Sequence, residues 1–205
     1  MFEAIEVINK LFTGEVVRHD GKFFTLERAK LYTRPPDDQK VPVYVATAGP
    51  INAKKTGKFA DGLITVGAAD EKMEMIWGKF EEGRTEAGKD PKAGPKMLQI
   101  HISWARTEDE ATENAMVEWP NGGMAFFPKQ YIKKPEDFAG IAKLVRPEDF
   151  KNRVMISSDL EAHCKHIQHY VDMGYDEVHI HNVGRNQEEF IEVFGKDVLP
   201  NLRLG

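Results

Sequence analysis

The turn Val45-Ala46-Thr47-Ala48-Gly49-Pro50-Ile51-Asn52 carries residue types suited to holding an anion. Small side chains let the backbone approach a ligand closely. Unpaired N–H groups at a helix start, aligned with the helix dipole, attract phosphate. Strand ends of this kind are where α/β proteins place ligands. The competing reading is a tight strand-to-helix connection that needs Gly49 for its geometry. Arg153 stands just before an apolar stretch and a capped helix. A guanidinium there suits a bidentate anion site, or else a surface ion pair with a nearby acid.

Other candidates are more open. Lys129, Lys133 and Lys134, interleaved with Phe126, Phe127 and Tyr131, fit a lid carrying cations to an anionic ligand or an ordinary exposed loop. His179 and His181 alternate with Val178 and Ile180, so on a strand both imidazoles share a face. With His101 they have the number of ligands for a metal site, but no acidic ligand pattern accompanies them, and polar residues lining the end of a barrel interior are expected instead of a metal. His163, Cys164, His166 and His169 occupy a helix without an i, i+4 ligand pair and read as a solvated face. No G-x-G-x-x-G, Walker A, G-x-S-x-G or H-E-x-x-H sequence occurs.

The elements that must position these residues follow from periodicity. Phe2, Ile5, Ile8, Leu11 and Phe12 fall at helical spacing, with Gly14 as a stop and no cap at the start. Asp20-Gly21 between apolar runs predicts a hairpin over 15–32. Pro35, Pro36, Asp37 and Asp38 make an irregular connector. Four strand-helix repeats follow, with strands predicted at 41–47, 63–66, 97–103 and 177–183. Pro50 suits a first helical position. Thr107 to Glu110 and Ser158 to Glu161 read as capping boxes. Residues 120–150 form an irregular excursion with two short helices near 135–145 and 147–152. The closing helix is expected to bury Phe190, Ile191, Phe194, Val198 and Leu202. Strand-helix alternation implies parallel pairing and right-handed crossovers. Both a small doubly wound sheet and part of a (β/α)8 barrel, which takes about 250 residues when complete, fit the pattern.

Composition bounds the class. The chain has 205 residues, 41% of them apolar, enough for one core or two small ones. A net charge of −5 without a Lys/Arg block argues against non-specific nucleic-acid or membrane-surface binding. A single cysteine, Cys164, permits no intrachain disulfide and suits a reducing, cytoplasmic setting. No basic-then-apolar leader follows Met1, and no apolar run approaches membrane-spanning length.

The segment Glu3 to Gly14, the hairpin through Asp20-Gly21, and Ala29 to Tyr32 leading to Val41-Pro42-Val43-Tyr44-Val45-Ala46 resemble the luciferase-like superfamily. The similar branch uses the deazaflavin coenzyme F420, in particular the F420-dependent glucose-6-phosphate dehydrogenase group. Gly49-Pro50, Ala60 to Thr65, Ile100 to Trp104, Arg153 to Asp159 and Phe190 to Leu202 follow in family order. The resemblance implies an α/β fold, the C-terminal half of a TIM (β/α)8 barrel, with an extra hairpin and a helical excursion. It implies one N-terminally incomplete domain over 1–205 that holds strands five to eight.

The resemblance also implies that Ala48, Gly49, Ile51 and Asn52 hold the tail of F420. Arg153, Lys129 and Thr65 would meet the substrate. The family's lysine after the sixth strand is replaced by Ala69 and its threonine by Val66, so glucose 6-phosphate is not assured. Alcohol oxidation and reduction of an activated alkene or imine are equally open. The family's acid-base histidine, its aspartate and its glutamate lie in the first half of the barrel, so no catalytic residue is assigned here and the chain is expected to be inactive alone. Two alternatives remain: an FMN-dependent luciferase-like monooxygenase, and a non-catalytic half-barrel subunit. The partners implied are a small-molecule substrate and either a second copy or a separate N-terminal half.

Overall fold

Glu3, near the start of the first helix, shows how the N-terminal elements are held. The computed structural model describes residues 1–36 and 39–204, so the connector aspartates Asp37 and Asp38 lie outside the described residues. Helix α1 (Phe2–Phe12) buries Ile5 and Val7 and stops at Gly14, whose φ of 75° favours glycine. The Glu3 carboxylate accepts from the backbone N–H groups of Phe23 (3.0 Å) and Phe24 (2.9 Å) and meets His19 Nε2 at 3.2 Å. It thereby pins the turn of the hairpin β1 (Val17–Asp20) and β2 (Thr25–Ala29), which is antiparallel with an irregularity between Val17 and His19.

Two compact units divide the chain: Met1–Thr65 with Asp70–Lys96, and Val66–Ala69 with Met97–Gly205. In the first, β3 (Tyr44–Ala46) pairs in parallel with β4 (Gly62–Val66). The predicted strand over 41–47 is thus shortened to three residues. Its approach is held by Asp61, whose carboxylate accepts from Val43 N at 2.9 Å and from Lys40 Nζ. Helix α2 (Pro50–Phe59) follows β3, and α3 (Asp70–Glu86) follows β4. Along α3, Met73, Ile76, Trp77 and Phe80 are buried at helical spacing.

Contact between α2 and α3 is backbone to backbone. A Cβ on Gly57 would overlap the carbonyl oxygen of Phe80, and one on Gly83 that of Lys54. Around this seam Lys54 bridges Glu82 and Glu86 (both 2.6 Å), and Lys79 meets Glu82 at 2.7 Å. The hydrogen bonds from Lys54 and Lys79 hold the Glu82 carboxyl down at about 2.

In the second unit β5 (Lys96–Ser103) is the central strand. It pairs in parallel with β7 (Glu177–Asn182) over six residues, and its end pairs with β6 (Met155–Ile156). Leu98, Ile100 and Ile102 bury one face of β5, while Gln99 and His101 lie on the other, half-buried. Helices α4 (Glu108–Glu118), α5 (Pro135–Ala142) and α6 (Leu160–Asp172) and single 3-10 turns make up most of the rest. The excursion over 120–150 is organised by a cluster of Ala115, Met124, Val145, Phe150, Val154 and Val183.

Three local expectations need correction. The cap of α6 is Asp159, which accepts from Glu161 N at 2.9 Å, in place of Ser158. The second short helix is a 3-10 turn over Pro147–Phe150. The closing segment is α7 (Gln187–Val193) running into a π turn at Phe194–Val198. Ile191, one position on from Phe190 and so turned off the buried face, is 65% exposed, while Phe190, Phe194 and Val198 are buried.

Candidate functional site

Ala48, Gly49, Ile51 and Asn52 lie together in one turn. Thr47 N donates to Ile64 O at 3.0 Å, carrying the β3–β4 pairing one residue past the strand. Thr47 Oγ1 then accepts from Gly49 N at 3.3 Å. Gly49 has φ −129° and ψ 143°, an extended conformation that any residue adopts. A Cβ there would meet nothing within 4 Å. The chain geometry therefore does not require glycine at 49; what its hydrogen leaves is open space at the mouth of α2. Pro50 has no N–H, and the first turn leaves the N–H groups of Ile51 and Asn52 without helical acceptors. Ile51 is 74% exposed. Ala48 and Asn52 are exposed as well.

Beside this turn is a groove of about 410 Å³ lined by Pro50, Ile51, Lys54, Lys55, Lys58 and Lys79. Three of its four lysines are paired with carboxylates. Lys54 and Lys58 share Glu86, Lys79 holds Glu82, and Lys55 sits over the Phe2 ring at 5.9 Å. Anion attraction at the turn thus comes from the backbone N–H groups and from Lys55, whose ammonium has no carboxylate partner among the described residues.

Thr65 belongs to the same unit but is 2% exposed, and its Oγ1 has no hydrogen-bond partner. Alternation along β4 turns Thr65 to the covered side with Leu63, while Val66 is exposed. Thr65 is therefore not presented to a ligand as the sequence suggests.

The other two substrate candidates lie in the second unit. Arg153 follows Asn152, a non-glycine residue at φ 62°, and its side chain is exposed with no ion pair among the described residues. The surface ion pair is thus not its role. Lys129 is exposed, and its Nζ donates to Asn121 Oδ1 at 2.7 Å, which anchors the excursion.

The segment before α6 already holds an anion from the chain itself. Glu108 accepts from Ser158 N (2.7 Å), Ser157 Oγ (2.8 Å) and Ser158 Oγ (2.9 Å). These bonds, the backbone one first, hold its carboxyl below the usual range.

His163 differs most from its expected place on a solvated face. It is completely buried, its Nε2–H donates to Ser157 O at 2.8 Å, and Nδ1 has no partner. Burial holds it below the usual histidine range, against the pull of Ser157 O, Asp159 and Glu108. The unfolded chain therefore binds this proton more tightly than the folded one. The stability it contributes is complete above about pH 6.5 and is lost as pH falls through the depressed folded value. Urea unfolding is expected to show declining stability below about pH 6.5. His163→Gln, which keeps a donor and does not titrate, should show a shallower decline; an unchanged slope would assign the loss to other groups.

On the opposite face of β5, His101 and His181 are register partners with Nδ1 atoms 2.9 Å apart. Trp119 packs on both, with centroids 5.3 and 4.8 Å away. Asn182 fixes the strand ends: its Oδ1 accepts from Trp104 N at 3.1 Å, and Asn186 Nδ2 donates to Trp104 O at 3.0 Å. His179 is exposed and meets Glu177 at 3.3 Å. Among the described residues no group of three or more His, Cys, Asp or Glu could hold a metal ion. No helix among them is long and apolar enough to cross a membrane.

Parallel strands alternating with helices define a (β/α)-type fold, with an open turn at the end of β3. Residues 1–177 match the luciferase-like monooxygenase family, and the chain belongs to it. It is 31% identical over 205 residues to an F420-dependent glucose-6-phosphate dehydrogenase of Amycolatopsis mediterranei, covering 98% of this chain and 60% of the relative. A protein of the same name from Microbacterium testaceum is 29% identical over 203 residues, with the same coverage. Among solved structures, an F420-dependent secondary alcohol dehydrogenase in complex with an F420-acetone adduct superposes with a TM-score of 0.85 at 32% identity, covering 98% of this chain and 61% of that one. The F420-dependent tetrahydromethanopterin reductase of Methanopyrus kandleri, at 24% identity and TM-score 0.77, shares the fold. The chain spans about 60% of the length of the curated relatives it matches.

Proposed function

We propose that this chain forms the C-terminal strand-helix set of a coenzyme F420-dependent oxidoreductase acting on a small organic substrate, and that it binds the cofactor through Ala48, Gly49, Ile51 and Asn52. The observation that carries this reading is the open space over Gly49 beside the N–H groups of Ile51 and Asn52. A phosphate-bearing tail fits there because the approach is to backbone alone and the helix dipole favours the charge. The names of the relatives favour F420; FMN, which also bears a phosphate, is the alternative cofactor and would make the protein a luciferase-like monooxygenase.

When bound, F420 supplies hydride transfer. The chain's own part is to hold the tail at the α2 start and to offer Arg153 and Lys129 to polar groups of the substrate. With Ala69 and Val66 in positions where the family has a lysine and a threonine, an uncharged alcohol or its ketone suits the site better than a sugar phosphate. Acid-base groups are not assigned to this chain. These 205 residues are therefore expected to bind cofactor without turnover by themselves. The lone thiol, Cys164, fits a reducing cytoplasm.

Parallel titrations with F420 and FMN, with a hydride-transfer assay on secondary alcohols, test this reading. The expected result is saturable binding that favours F420, with no turnover by the chain alone. Tighter binding of FMN, or full turnover by the isolated chain, would contradict it.

A further inference from the structure

His101 and His181 come from strands 80 residues apart, yet the parallel register of β5 and β7 sets them side by side. Their Nδ1 atoms are 2.9 Å apart and the rings are nearly perpendicular, at 81°. A hydrogen bond between two such nitrogens needs one proton between them, so one ring carries Nδ1–H and the other a bare Nδ1. In the neutral pair the first ring then has a bare Nε2 and the second an Nε2–H. Among the described residues neither Nε2 meets a protein partner. Both side chains are half-buried, on the face that also carries Gln99 and His179.

We propose that His101 and His181 work as a two-imidazole proton relay that takes a proton at one Nε2 and releases one at the other. The transfer balances without a co-reactant. A proton arrives at the bare Nε2 of the first ring, and that ring's Nδ1–H passes to the Nδ1 of the second. The second ring then releases its Nε2–H. One proton has entered, one has left, and the two tautomers have exchanged. The same path runs backwards from the new state.

The surroundings hold the pair in the condition a relay needs. Trp119 packs against both rings, and Asn182 with Asn186 fixes the adjoining strand ends through Trp104. Burial keeps both rings below the usual histidine range, and the neighbouring imidazole lowers His101 further. Charged groups on the packed elements are committed elsewhere: Glu177 to His179, and Glu118, next to Trp119, to Arg185. No carboxylate therefore locks either ring as a cation, and the pair rests neutral with one shared proton. The proposal is independent of the cofactor assignment, since it rests only on the two rings and their register.

Long-range proton–nitrogen NMR of the chain with 15N-labelled histidine tests it, with His101→Phe and His181→Phe used for assignment and as controls. Phe keeps the ring contact with Trp119. In the unaltered protein near pH 7 the Nδ1–H fractions of the two rings should sum to one. On acidification both should respond together at one shared midpoint below about 6.5. In His181→Phe, His101 should revert to a predominantly Nε2–H ring with a higher midpoint, and in His101→Phe, His181 should likewise become predominantly Nε2–H. Two Nε2–H rings in the unaltered protein, or two midpoints that neither substitution moves, would overturn the relay. If one variant fails to fold, the unaltered spectrum and the reciprocal variant still decide.

Discussion

Gly83→Ala should cost about 3 kcal/mol, and Gly57→Ala a similar amount, because each adds a methyl where two backbones already touch. The Gly83 methyl would meet the carbonyl of Lys54, and the Gly57 methyl that of Phe80. Neither obstacle is a flexible side chain that swings aside, so the helices must separate. Separation exposes Ala53 and Thr56 on α2 and Phe80 on α3, all essentially sealed from solvent. For a chain of this size the loss corresponds to a fall in Tm of about 6–12 °C. Gly78 is the internal control. It lies on the same helix, and a Cβ there meets nothing within 4 Å. Gly78→Ala should therefore stabilise by up to about 1 kcal/mol, the ordinary gain of alanine over glycine in a helix. Thermal unfolding of the three variants checks the contrast. Equal effects at 78 and 83 would show that the α2–α3 seam is not packed as described.

Gly49→Val should do the reverse: leave stability within about 0.5 kcal/mol and weaken cofactor binding at least about tenfold. The extended φ and ψ of Gly49 are comfortable for a β-branched residue, and open space surrounds the position, so folding has nothing to resist. The added side chain instead occupies the space through which a phosphate would reach the N–H groups of Ile51 and Asn52. A tenfold loss is about 1.4 kcal/mol, a modest demand on one obstructed contact. Equilibrium binding of F420 to the two proteins, beside their urea unfolding curves, separates the effects. A marked loss of stability would restore the reading in which Gly49 serves the turn itself. The two predictions connect, because the α2–α3 seam holds the helix whose first turn carries the proposed site.

Much of this was legible in sequence order. The Asp20-Gly21 hairpin, the Pro50 helix start and the apolar strands announce themselves because local chemistry decides them. The four residues Ala48, Gly49, Ile51 and Asn52 are contiguous enough that one turn must gather them. Residues whose fate is set across the chain were not legible. Thr65 faces inward because of which side of β4 is covered, a fact of packing that adjacency to Val66 does not reveal. His163 is buried against the ring of Phe194, a contact made from a distant position, while the nearby Ser157 carbonyl takes its Nε2–H. The same holds for Glu108, whose capture by Ser157 and Ser158 spans about fifty residues. The contact of His101 with His181 depends on strand register, which a period-two pattern does not fix.

The most direct measurement is a map of backbone amide shifts as F420 is added to the 205-residue chain. The largest changes should fall on Ala48, Gly49, Ile51 and Asn52, and FMN should perturb them less at equal concentration. Saturating F420 that leaves these amides unmoved, or that shifts a different segment most, would contradict the placement of the cofactor at the start of α2.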